Sequence, residues 1–193
     1  MENINKLFAA KNINGVYCQL HQINLKDAGL IFRLRSSRAE FIETNPRDIS
    51  QQQDYIKKYL NSFLKKEQIY FKIYDTKLRR FVGVFRLTKL NNKVDFSWES
   101  AVFEKNCSPN TFLDAMIITY RIGFEYLNRK LCGPWKVKIN NKRMMKIHYI
   151  MGMTQIVETG QNYFRIQVKS KDYYSKIEKY RKLRFGELGK LSQ

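Results

Sequence analysis

The chain has 193 residues, of which 44% are hydrophobic and 14% aromatic: enough apolar material for one folded domain, and too much for a disordered basic tail. Lys and Arg number 36 against 17 for Asp and Glu, and the net charge of +19 suits anionic partners: nucleotide phosphates, nucleic acid, an acidic protein or an anionic lipid surface. No window approaches the ~20 apolar residues of a membrane span, and Met1-Glu2-Asn3-Ile4-Asn5-Lys6 lacks the apolar core of a secretory signal, so a cytoplasmic location is expected.

Cys18, Cys107 and Cys132 are odd in number, widely spaced and without a CxxC pair. They read as reduced, buried thiols, and no metal site is expected from them. The abundance of Lys, Asn and Ile also fits AT-rich coding, so the charge alone does not demand a partner.

In chain order, 1–14 reads as a loose arm and 15–21 alternates as a first strand does. Residues 26–35 predict a helix with Leu30, Ile31 and Leu34 inward. A turn-rich stretch with Thr44-Asn45-Pro46 follows, and Ser50 is placed to cap a second helix over 51–66, with Tyr55, Ile56, Tyr59, Leu60 and Phe63 at helical spacing. Strands are expected at 69–74, 81–87 and 94–102. In the last of these Val94, Phe96 and Trp98 face one side, and Asp95, Ser97 and Glu99 the other.

Pro109 opens a long helix over 110–129, whose apolar stripe holds Phe112, Leu113, Met116, Ile117, Tyr120, Phe124 and Leu127. A strand at 134–139 leads into Asn141, an N-cap residue, and a short helix that Gly152 ends. Met144, Ile147, His148 and Met151 share one face of that helix. Strands at 154–158 and 163–168 precede a basic, tyrosine-rich tail (170–193) that is helical over 172–184.

The order is β-α-α-β-β-β-α-β-α-β-β, an α+β (α/β) pattern in a single domain, 1–193. This order, together with Asn141, Met144, His148, Gly152 and Met153 at the spacing Asn-x-x-small-x-x-x-Tyr-x-x-x-Gly-aromatic, resembles the Gcn5-related N-acetyltransferase (GNAT) superfamily, above all its ribosomal-protein-acetyltransferase-like branch. His148 stands at the family tyrosine and Met153 at the family aromatic. The resemblance covers roughly 15–170, and Val82-Gly83-Val84 with Arg86 matches a further family feature.

The resemblance implies a mixed sheet that splays after its fourth strand to form a slot for acetyl-CoA, the acyl-donor substrate. It implies that backbone around Ala101 and Val102, on a bulged strand, runs beside the donor's pantetheine arm. It also implies that the pyrophosphate sits at the N-terminus of the long helix, on a glycine-rich loop. Here 105–112 holds no glycine, and Pro109 removes one backbone donor. Ser108, Asn110, Thr111 and Phe112 remain as donor contacts, with Asn141 orienting the pantetheine or a water. Three readings stay open: a modified coenzyme A site, an acyl-carrier-protein donor, or a fold that has lost its donor.

By the same resemblance, His148 is the candidate acid for the leaving thiolate, against a packed core histidine. Glu99 is the candidate base for the amine, against a salt-bridged surface carboxylate. Acceptor contacts are expected from Arg33, Arg35, Arg38 and Glu43 on the first helices and from Tyr163 and Arg165 on the last hairpin. Arginines there lean toward a phosphorylated or nucleotide-linked primary amine as the small-molecule acceptor. The alternatives are a protein or ribosomal amine, and a catalytically silent GNAT fold that binds nucleic acid or an acidic partner through Tyr173, Tyr174, Tyr180 and the basic tail. Exposed strand edges in this fold leave a homodimer open.

Overall fold

The alternating apolar segments form one mixed sheet in the computed structural model, which describes residues 2–42, 46–154 and 156–181, with side chains as far as 177. The strands are β1 (Asn12–Asn14), β2 (Cys18–Gln22), β3 (Ile69–Asp75), β4 (Arg80–Thr88), β5 (Asp95–Phe103), β6 (Leu131–Lys138), β7 (Ile156–Thr159) and β8 (Tyr163–Lys169). They lie in the spatial order β1-β2-β3-β4-β5-β6-β8-β7. All neighbours are antiparallel except β5 and β6. The helices are α1 (Glu2–Ala9), α2 (Ala28–Ser36), α3 (Ile49–Leu64), α4 (Pro109–Arg121), α5 (Lys142–Ile150) and α6 (Ser170–Arg181). From β2 to β8 this is the order expected from the sequence. None of the described helices is long and apolar enough to cross a membrane.

Successive residues of a strand point to opposite faces, and the sheet carries a core on each. Tyr70 and Val84 pack with Ile31 and Leu34 of α2 and Ile56 and Tyr59 of α3. Their chain neighbours Phe71 and Phe85 turn to the other side, with Leu7 of α1, Met116 and Tyr120 of α4, and Tyr173 of α6.

Several boundaries differ from expectation. Residues 2–9 are a helix, and Leu7 is fully buried under the sheet. Asp48, not Ser50, caps α3: it has extended backbone and accepts from Gln51 N at 2.8 Å. Val94 precedes its strand and is exposed, while Ser97 is buried although it faces away from Trp98. The long helix stays α only to Arg121 and widens to a π turn at Ile122–Tyr126. That turn puts Gly123 against the Phe96 ring and Phe124 under Tyr173. The Phe124 carbonyl accepts from Tyr174 Oη and the Glu125 carboxylate from Tyr173 Oη, so α6 docks on the π turn. The positions of Thr44, Asn45, Gln155 and 182–184, and the Tyr180 side chain, lie outside what is described.

Candidate active site

β5 and β6 run parallel but pair at only two positions, Asp95↔Leu131 and Phe96↔Cys132, and then part. Beyond Phe96 the backbone of β5 that faces β6 has no ladder partner there. Buried N–H and C=O groups need partners, so this edge inside the sheet is built for water or for an extended ligand rich in amides. Across from it, the three-residue step from Glu99 to Val102 in β5 lies opposite the two-residue step from Val84 to Arg86 in β4. The extra residue is a β-bulge, and Ser100 takes the left-handed φ of 54° that a non-glycine residue adopts only under local constraint. A cavity of about 510 Å³ fills the opening between the strands. Trp98, Ala101 and Val102 line one wall, and Pro134, Trp135 and Val137 the other.

His148 closes the base of the slot. It is fully buried and packs its ring 4.9 Å from Trp98 and 4.8 Å from Trp135, centroid to centroid. Trp135 Nε1 lies 3.1 Å from Nε2, and Tyr120 Oη lies 2.7 Å from Nδ1. An indole N–H only donates, so Nε2 must be the bare nitrogen and Nδ1 must carry the proton toward Tyr120. Burial pulls the imidazole pKa down to about 3. The sequence-based role of His148 as acid is therefore not what this geometry offers. The ring is neutral, both nitrogens are engaged, and charging it at neutral pH would cost about 5 kcal/mol. Its observed work is to join α5 to the two tryptophans.

Glu99 stands at the slot's mouth, on the exposed side of β5 as its alternation with Trp98 predicted. Arg86 Nη2 holds its Oε2 at 2.6 Å, and Thr88 Oγ1 reaches Oε1 at 3.4 Å. Arg86 also donates to Tyr55 Oη of α3 and stacks on that ring at 5.6 Å, which fixes the carboxylate from behind. The mouth is strongly basic: Arg35, Arg86, Lys136, Lys138 and Arg165 line the cavity, with Glu99 the one acid among the described lining residues. Lys136 and Lys138 went unpredicted, although alternation with buried Trp135 and Val137 on β6 turns both outward. Tyr163 and Arg165, the expected acceptor contacts, line the cavity, and both are bound to Glu158, at 2.9 and 3.0 Å. Arg33 lies instead near Glu104, 3.8 Å away, and Glu43 falls outside the described residues.

The N-terminus of α4 does less than the sequence suggested. Ser108 is its N-cap and accepts from Asn110 N at 3.3 Å, with Pro109 at the first helical position. Thr111 is buried, and its hydroxyl donates to Asp75 Oδ2 at 2.6 Å. That bond ties α4 to the end of β3 and withdraws Thr111 from any phosphate. Phe112 is buried beneath Arg143. Asn141 is the N-cap of α5, accepting from Met144 N at 3.2 Å, and it also lines the slot. At the far end Gly152 takes φ +102°, and Met153 N bonds back to His148 O at 2.8 Å. All three cysteines are free and buried, and burial pushes the Cys107 thiol up to about 11.

No protein-family model matches the sequence, and no curated protein does. Solved structures do. FdhC, described as a nucleotide-linked sugar GNAT, superposes with a TM-score of 0.74 at 21% identity, over 88% of this chain and 96% of its own. A spermidine N-acetyltransferase from Vibrio cholerae, in complex with CoA and spermine, gives 0.65 at 14% identity over 82% and 98%. The Campylobacter jejuni N-acetyltransferase PseH, in complex with acetyl coenzyme A, gives 0.58 at 15% identity over 79% and 98%. On these superpositions, the chain has the fold of the GCN5-related N-acetyltransferases.

Proposed function

We propose that this protein is an acyl-CoA-dependent N-acetyltransferase whose acceptor is a small, anionic primary amine, a nucleotide-linked amino sugar being the best fit. The observation that carries this reading is the slot between β5 and β6: unpaired strand backbone on one wall, a bulge at Ser100, and a mouth whose described lining holds five basic side chains and the Glu99 carboxylate, with Glu158 behind Arg165. Such a field disfavours a polyamine, which would bring positive charge to positive charge. It favours an acceptor that carries phosphate.

In the reaction the amine nitrogen attacks the thioester carbonyl, the C–N bond forms, the C–S bond breaks, and coenzyme A leaves as its thiol. Glu99, at the mouth, takes the proton that the ammonium must lose before attack, directly or through a water. Backbone N–H groups at 100–102 polarise the carbonyl. His148 supplies shape and not charge: with Trp98 and Trp135 it forms the wall at the base of the slot. The thiolate then takes the second amine proton.

A second reading, a silent fold that binds an acidic partner or nucleic acid, draws support from 105–112, where there is no glycine and Thr111 is committed to Asp75. Calorimetry with acetyl-CoA, desulfo-coenzyme A and a plain nucleotide separates the two. Micromolar binding selective for the coenzyme, followed by faster turnover of a nucleotide-linked amino sugar than of spermidine, is the expected result. No binding at millimolar ligand would end the coenzyme A-dependent reading and leave a carrier-protein donor or a silent binding fold.

A further inference from the structure

A smaller cavity of about 80 Å³ adjoins the slot, sharing Phe41, Ile42, Ala101, Val102, Asn141 and Met144 with it. Two guanidiniums reach it from distant parts of the chain, Arg38 from the turn after α2 and Arg143 from the first turn of α5. Each lies against an aromatic ring. Arg143 Cζ is 3.9 Å from the centre of Phe112, and Arg38 Cζ is 5.2 Å from that of Phe41. Stacking of this kind holds a planar fork in place without using its N–H donors.

The two charges are poorly compensated. Among the described residues no carboxylate pairs with Arg143, and Arg38 has only the exposed Glu40, at 3.5 Å. Arg143 is exposed on its outer side; the part the cavity covers is desolvated, which lowers its pKa, and the neighbouring Arg38 acts in the same direction. Like charges brought to one small cavity form a site that an anion relieves. A guanidinium matches the two oxygens of a phosphate better than a lone ammonium does.

We infer that Arg38 and Arg143 form a phosphate clamp for the acyl donor, with side-chain forks taking the place of the glycine backbone that 105–112 lacks. The identity of the donor rests on the acyltransferase reading above; the clamp itself rests on the two stacked arginines. Phe112 is then the platform for Arg143 and not itself a phosphate contact. The clamp also spans two parts of the fold, so phosphate binding draws the turn after α2 toward α5. The shared chemistry is a phosphate or pyrophosphate ester, which a nucleotide-linked acceptor also carries, so the test must separate donor from acceptor.

Wild type, Arg38→Ala, Arg143→Ala, Arg143→Lys and the exposed control Lys142→Ala are titrated with coenzyme A, with pantetheine, which lacks phosphate, and with inorganic pyrophosphate. Both alanine variants are expected to bind coenzyme A about 10- to 100-fold more weakly, as the loss of charged hydrogen bonds implies. Lysine at 143 restores part of the affinity, the Lys142 variant matches wild type, and pantetheine binds all forms alike. Equal coenzyme A affinity in every form overturns the clamp and leaves the acyltransferase reading standing. Pyrophosphate binding that Arg143→Ala abolishes, with no coenzyme A bound by any form, keeps the clamp and overturns the donor. If the arginine variants raise KM for a nucleotide-linked acceptor but not for acetyl-CoA, the assignment to the donor is wrong. Wild type that binds neither coenzyme A nor pyrophosphate overturns both.

Discussion

Trp135 Nε1–H donates to His148 Nε2 across 3.1 Å, and this one bond decides the chemistry of the imidazole. It leaves the proton on Nδ1, directed at Tyr120, and it can exist only while the ring is neutral. A histidine that the sequence offered as an acid is here held by an indole as a neutral ring.

The stability of the protein should accordingly fall as pH drops through the range where an unfolded histidine takes up a proton. The folded pKa of His148, about 3, lies below the ordinary value of ~6.5, so between these limits the unfolded state binds more protons. Stability is complete above pH ~6.5 and is lost progressively below it, by about 2 kcal/mol between pH 7 and pH 5. Urea denaturation at the two pH values measures this, and His148→Phe should remove that part of the slope. An NMR titration in which the His148 ring protonates near pH 6 would show the assignment to be wrong.

Replacing Glu99 by Gln should lower kcat for acyl transfer about 10²- to 10⁴-fold, the usual effect of losing a general base. The pair with Arg86 is half exposed on the carboxylate side, so melting should change by no more than ~1 kcal/mol. Steady-state rates check the role: kcat should fall while the KM for acetyl-CoA stays unchanged. Turnover that survives the substitution would move the base elsewhere while leaving the fold and donor site untouched.

Thr111→Val removes the hydroxyl bound to the buried end of Asp75. Stability should drop by about 1–3 kcal/mol because an acceptor loses its partner. The KM for acetyl-CoA should not move. A rise in KM with stability unchanged would return Thr111 to the phosphate site.

At Gly152 the backbone has φ +102°, and an added Cβ would come within 2.6–2.7 Å of the backbone of Asp172 and Tyr173 in α6. Gly152→Ala should therefore cost about 2–4 kcal/mol, as strain and overpacking combine. Thermal melts read the loss. Because α6 rests on the π turn through Tyr173 and Tyr174, fluorescence near Trp98 should report loosening before global unfolding.

Much of this architecture is legible from local pattern. Asn141 and Gly152 bracket α5 because a side-chain acceptor and a left-handed turn are short-range requirements that no distant contact overrides. Alternation around Trp98 places Glu99 outward for the same reason. Other features depend on partners far away in the chain. Thr111 looks like a free helix-start hydroxyl until the fold brings Asp75 to it. His148 looks reactive until Trp135 and Tyr120 surround it. Residues 1–14 look loose because eight polar-rich residues cannot sustain a helix alone, and only burial of Leu7 and packing of Ile4 and Phe8 make α1 worth forming. The capping of α3 by Asp48 instead of Ser50 is a choice between two adequate caps, which sequence does not rank.

The separation of β5 from β6 has a consequence for how the slot is sized. Main-chain bonds join the two half-sheets only at the start of β5, around Val94, Asp95 and Phe96. Farther along, Trp98 and Trp135 meet at 5.5 Å between ring centres, with His148 wedged against both. The gauge of the opening is therefore the thickness of aromatic rings, a quantity that side chains set and backbone geometry does not. Evolution or design could widen or narrow the passage for a longer acyl group by exchanging one ring, while every strand keeps its register.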